Sequence, residues 1–112
     1  MFWQQEEATK KQIESHNLLV SAANHIRQAD ILKEEGKEFS VEVALAQKDI
    51  QRFDKVFIDK HYKAKIALLS GDIFRLQSRY EEAEKMYKDA EDEMPKDVKE
   101  RLANLAELKK VP

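Results

Sequence analysis

Gly71 to Pro95 reads GDIFRLQSRYEEAEKMYKDAEDEMP, and how this stretch is read decides the fold. Gly71 and Phe74 are followed by Tyr80, Ala83, Tyr87 and Ala90, and then Pro95. Small and large residues three and four apart lie on one helical face. A glycine inside a helix costs on the order of 1 kcal/mol relative to alanine. Close packing at Gly71 is the natural compensation. The tripeptide Gln77-Ser78-Arg79 separates two helical patterns as a short turn, and Pro95 cannot extend the second of them.

Working outward, the spacing predicts helices over 60–77, 80–93 and 96–109, the last with Val98, Leu102, Leu105 and Leu108 on one side. Upstream, residues 4–35 contain neither Gly nor Pro. They carry the face Leu18, Leu19, Ala22, Ala23, Ile26, Ala29 and Leu32. Gly36 is the expected stop of that helix and Ser40 the expected cap of the next. The second helix continues a stripe of Val43, Ala46, Ile50, Phe53, Val56 and Phe57, with a break expected near 58–60. Nothing alternates with period two, so no sheet is predicted. The fold class is all-α, built of antiparallel helical hairpins.

The composition agrees. The 112 residues are 42% hydrophobic and 38% charged, with two Gly and two Pro, a balance suited to helices and to a single domain. Twenty basic and 22 acidic residues leave a net charge of −2, which offers no global attraction for nucleic acid or an anionic membrane. The absence of cysteine removes disulfides and thiolate ligands and suits a reducing, cytoplasmic setting. No signal peptide or membrane span is read.

From Ala64 the pattern is Ala67, Ser70-Gly71, Phe74, Tyr80, Ala83, Tyr87, Ala90 and Pro95. This resembles the tetratricopeptide repeat, a helix–turn–helix unit of about 34 residues, over 64–97. Ala67 and Ser70 depart from that pattern, where a large aromatic and a leucine are usual. The resemblance implies a right-handed array of five or six helices in one domain, with N-terminal helices over 1–58, the repeat over 60–97 and a capping helix over 96–110. It also implies that Gly71 and Ala83 sit at a helix contact. Ala29-x-Ile31-x4-Gly36-x2-Phe39 recurs 35 residues later as Ala64-x-Ile66-x4-Gly71-x2-Phe74. Gly36 is therefore either part of a degenerate first repeat or a plain helix stop.

Chemistry is sparse. His16, His25 and His61 lack metal-pair spacing, no glycine-rich phosphate loop occurs, and a cysteine nucleophile is impossible. Carboxylate pairs such as Glu34/Glu35, Glu81/Glu82 and Asp92/Glu93 read as solvated faces. No catalytic residue, metal or cofactor is expected, and the chain is read as a non-enzyme. The segment 60–79 has five Lys/Arg against one Asp, and 80–100 has nine acidic against four basic residues, so the two are expected to neutralise each other. Phe2 and Trp3 are either packed aromatics or an anchor for a partner.

The expected function is protein binding, as an adaptor or scaffold. The resemblance places Lys65, Leu68, Leu69, Asp72, Arg75 and Leu76 toward a groove for a mixed apolar and acidic protein or peptide. Leu69 and Ala103 stand where chaperone-binding relatives would have clamp asparagines, so that role is not expected. The alternative is a structural protein that self-associates, or joins a larger assembly, through its N-terminal helix. The Ala22–Ala29 face would allow close approach, although no strict heptad with charged flanks runs for three or more repeats.

Overall fold

The computed structural model describes residues 2–53 and 60–110, with side chains from 10–53 and 62–110. Five helices are present, α1 (Phe2–Glu34), α2 (Ser40–Phe53), α3 (Lys60–Leu76), α4 (Tyr80–Asp89) and α5 (Pro95–Lys109), and no strand occurs among the described residues. The expected break near 58–60, with Val56 and Phe57, lies outside the described residues, as do the side chains of Phe2, Trp3 and His61. The chain divides into two compact units, Met1–Ile58 and Asp59–Pro112.

In the first unit α1 packs against α2. The turn between them follows from Gly36, whose φ of 72° ends α1 in the left-handed region. Lys37 N–H donates to Leu32 O at 2.8 Å and Gly36 N–H to Lys33 O at 3.0 Å, the paired bonds of a Schellman stop. A Cβ at Gly36 would meet nothing within 4 Å, so this glycine serves backbone conformation alone. Ser40 opens α2, but the capping acceptor is the Glu38 carboxylate, 3.0 Å from Ser40 N–H. Hydrogen bonds from the Ser40 side chain and backbone hold that carboxyl below its usual range. Among the described residues the buried apolar ones are Leu18, Leu19, Ala22, Ile26 and Ala29 on α1 and Val43, Ala46 and Phe53 on α2, a face at helical spacing as expected, with Ser15 buried beside them.

In the second unit α3 packs against α4, and α4 against α5. The turn at 77–79 is a second Schellman stop: Ser78 has φ 62°, Arg79 N–H donates to Phe74 O at 2.8 Å, and Ser78 N–H donates to Arg75 O at 3.0 Å. Arg79 lies over the Phe74 ring at 4.6 Å, a cation–π contact across the turn. Two boundaries differ from expectation. Helix α4 ends at Asp89 rather than 93, and Pro95 opens α5 instead of merely preceding it. Proline suits a first helical turn because its missing N–H would have no partner there. The core is Ala64, Leu68, Ala83, Tyr87, Ala90, Val98 and Leu105, ringed by Ala67, Phe74, Tyr80, Met94 and Leu102.

Candidate protein-binding site

Gly71, Ala83 and Tyr87 form the tight contact of the second unit. A Cβ built on Gly71 would lie 2.5 Å from both Tyr87 Cδ1 and Cε1, and 3.1 Å from the Ala83 carbonyl oxygen. Bare backbone at 71 therefore admits the Tyr87 ring edge flat against α3. Ala83, Tyr87 and Ala90, three and four residues apart, are each fully enclosed.

The ring position carries its hydroxyl to the neighbour of the glycine. Tyr87 Oη donates to Asp72 Oδ1 at 2.6 Å. The same carboxylate receives Arg101 from α5 in fork geometry: Nε donates to Oδ1 at 3.0 Å and to Oδ2 at 3.2 Å, and Nη2 donates to Oδ2 at 3.1 Å. Asp72 is 7% exposed at its side chain and Arg101 29%. One carboxylate on α3 thus ties down α4 and α5 together. Burial, then the Asp72 charge and hydrogen bond, pushes the Tyr87 phenol well above its ordinary range, while Arg75 acts in the opposite sense by charge and hydrogen bond. Burial opposes the charge on Arg101, but the Asp72 hydrogen bond and charge outweigh it and the guanidinium is held more firmly protonated.

These positions bear on the six residues expected to line a groove. Leu68, Leu69, Leu76 and Asp72 are buried, with Leu68 in the core cluster, and Lys65 and Arg75 are half-buried. Asp72 is bound by Tyr87 and Arg101, and Arg75 acts on the Tyr87 hydroxyl. A helix whose apolar residues lie beneath its neighbours presents its stems rather than an open apolar trough. Arg101 was not singled out from sequence, although a charged residue between Val98 and Leu105 on the apolar side of α5 is a signal that it serves a buried partner.

The first unit has an open cleft of about 440 Å³ lined by Lys10, Ile13, Asn17 and Leu18 of α1 and by Asp49 and Arg52 of α2. Asp49 Oδ2 is enclosed and finds no hydrogen-bond partner among the described residues, a position that suits an ordered water. His25 Nδ1 meets Glu42 Oε2 at 2.6 Å between α1 and α2, and His16 is exposed. Among the described residues no group of three His, Asp or Glu side chains is placed to hold a metal ion. Glu34, Glu35, Glu81, Glu82, Asp92 and Glu93 are all exposed. No described helix is long and apolar enough to cross a membrane.

Among the described residues the exposed large aliphatic side chains are Ile13, Val20 and Ile31 on α1 and Val41 and Leu45 on α2, all in the first unit. The Ala22 and Ala29 face, expected to allow helix association, is fully enclosed within the molecule and is not open to a second copy. Comparison with known protein families, curated proteins and solved structures finds no match for this chain.

Proposed function

We propose that this chain is a non-enzymatic protein-interaction module, a scaffold of tetratricopeptide-like hairpins that holds a helix or peptide of another protein. The observation that carries this reading is a division of labour. The second unit uses its polar side chains to lock helices together, whereas the first, among the described residues, leaves five large aliphatic side chains in water. Exposed aliphatic neighbours such as Val41 and Leu45, four residues apart on one helix, favour protein contacts. The fit of Gly71, Ala83, Tyr87 and Ala90 supports the repeat-like character of the second hairpin.

The test is affinity capture with the purified chain, repeated with the double variant Val41→Lys and Leu45→Lys. Both sites are exposed, Val41 at 66%, so the fold tolerates the change. Specific proteins retained by the parent and lost by the variant are the expected result. Equal retention removes α2 as a binding face, and no specific retention by either removes the reading. An acidic peptide recruited through Lys65 would instead show binding that survives the α2 variant and is lost in Lys65→Glu.

A further inference from the structure

The exposed side of α2 has an unbalanced composition. Beyond Ser40, the exposed residues of this helix are Val41, Ala44, Leu45, Lys48, Gln51 and Arg52, with two cations and no carboxylate. Four of them form a single line. At 100° per residue Val41, Leu45, Lys48 and Arg52 fall within about 60° of one another, on the side away from the buried Val43, Ala46 and Phe53. Arg52, the last of the four, also borders the cleft between α1 and α2. The carboxylates of α2, Glu42 and Asp49, lie off the line and are half-buried. Glu42 is engaged by His25, and Asp49 lines the cleft with one oxygen enclosed. Lys48 and Arg52 enter none of the ion pairs found among the described residues. By contrast the outer sides of α4 and α5 carry both signs, with Glu81 and Lys85 on one and Lys99 and Glu100 on the other.

We propose that this line receives an acidic amphipathic helix of a partner protein, laid antiparallel to α2, with aliphatic residues on Val41 and Leu45 and carboxylates on Lys48 and Arg52. This partner chemistry rests on the protein-interaction reading above. Charge complementarity selects the occupant. A cation in the last turn suits a helix C-terminus, which accounts for Arg52. Lys48 stands a turn earlier, and no carboxylate lies three or four residues from it on either side. A second copy docked through the same line would bring two more cations and no carboxylate, so the face does not complement itself. Direction follows from the same electrostatics. In an antiparallel pair the partner's carboxylates lie in its own first turns, where the helix dipole favours them, and its aliphatic residues follow. The partner's facing residues then run acidic, acidic, aliphatic, aliphatic at steps of four, three and four, the steps that α2 itself presents.

From Val41 to Arg52 the line is about 17 Å long at 1.5 Å per residue. Three turns of helix bury less than the approximately 1,200 Å² of standard stable complexes. The contact is accordingly weak and transient, with dissociation at roughly a hundred micromolar. Two exposed charge pairs make it weaker still as salt is added.

The probe is a synthetic alanine–glutamine helix carrying Glu, Glu, Leu and Leu at steps of four, three and four, titrated at low salt into the full chain and followed by amide chemical shifts. A second peptide has lysine in place of both glutamates. The expected result is shifts centred on residues 41–52, with the acidic peptide bound about tenfold more tightly than the basic one. Lys48→Glu combined with Arg52→Glu should reverse that preference, an outcome that a damaged fold would not give. Lys96→Glu combined with Lys99→Glu makes the same change of net charge at exposed positions of α5. That pair should leave the affinity for the acidic peptide within about twofold. Failure of both peptides to bind, equal binding of the two, or an equal loss from the α5 pair each overturns the proposal. None of these outcomes bears on the interaction reading itself, which is decided by affinity capture with Val41→Lys and Leu45→Lys.

Discussion

The two hairpins share a local grammar and put it to different use. Each first helix ends in a left-handed residue, Gly36 with φ 72° and Ser78 with φ 62°, followed by a basic residue, Lys37 or Arg79. Counting back seven residues from each reaches Ala29-Asp30-Ile31 in one and Gly71-Asp72-Ile73 in the other. The structural echo therefore runs at 42 residues, not at the 35 that aligns the two glycines. Those glycines have unrelated tasks, since Gly36 supplies a backbone angle and Gly71 supplies space. The small residue is enclosed in both hairpins. The aspartate is half-buried in the first and 5% exposed in the second, and the isoleucine goes from 41% exposed to 4%. What differs is the surroundings: α5 covers the second hairpin and brings Arg101 to Asp72.

The comparison predicts a large asymmetry between the two aspartates. Asp72→Ala should lower stability by about 3–5 kcal/mol, because it leaves Arg101 and the Tyr87 hydroxyl without their acceptor in a partly dry site. Asp30→Ala, at a position still in contact with water, should cost about 1 kcal/mol or less. Urea unfolding followed by circular dichroism measures both, and equal losses would mean the carboxylate lock contributes nothing special.

The glycines come next in size. Gly71→Ala places a methyl group against the Tyr87 ring and should cost about 1–3 kcal/mol through overpacking. Gly36→Ala meets no neighbour and should cost about 1 kcal/mol from its positive φ alone. The two are separable by their partners. Combining Gly71→Ala with Tyr87→Leu should recover part of the loss, whereas no side-chain change should rescue Gly36→Ala.

Alkaline pH probes the same lock. The Tyr87 phenol is raised in the folded state, so its contribution is complete below the unfolded value of about 10 and is lost as pH climbs through the higher folded value. Stability should therefore fall above pH about 10 more steeply for the parent chain than for Tyr87→Phe. Parallel slopes in urea midpoints from pH 8 to 11 would show the phenol is not held this way. The smallest effect is expected at the other left-handed residue. Ser78→Gly removes the side-chain penalty at φ 62° and should stabilise by up to about 1 kcal/mol.

Much of this molecule could be read locally. Helix spacing, the stop at Gly36, the turn at 77–79 and the small-residue positions of 71–95 follow from periodicity and turn chemistry, which depend on neighbours a few residues away. The end of α4 at Asp89 was less legible, because Ala90 to Glu93 carry ordinary helix formers and the start set by Pro95 competes with them. The candidate groove was read from a pattern of positions, and the burial of Leu68, Leu76 and Asp72 changes what that helix can offer.

By itself the sequence determined an all-helical chain, where its helices turn, and that Gly71 needed a close neighbour. Only the tertiary structure decided that the neighbour was the Tyr87 ring and that Asp72 would join three helices through a partner 29 residues away. It also decided which of the two faces of α1 stayed in water. The physical reason is range. Backbone conformation is set by interactions within a turn or two, whereas the fate of a charge or an aliphatic side chain depends on which distant helix comes to cover it.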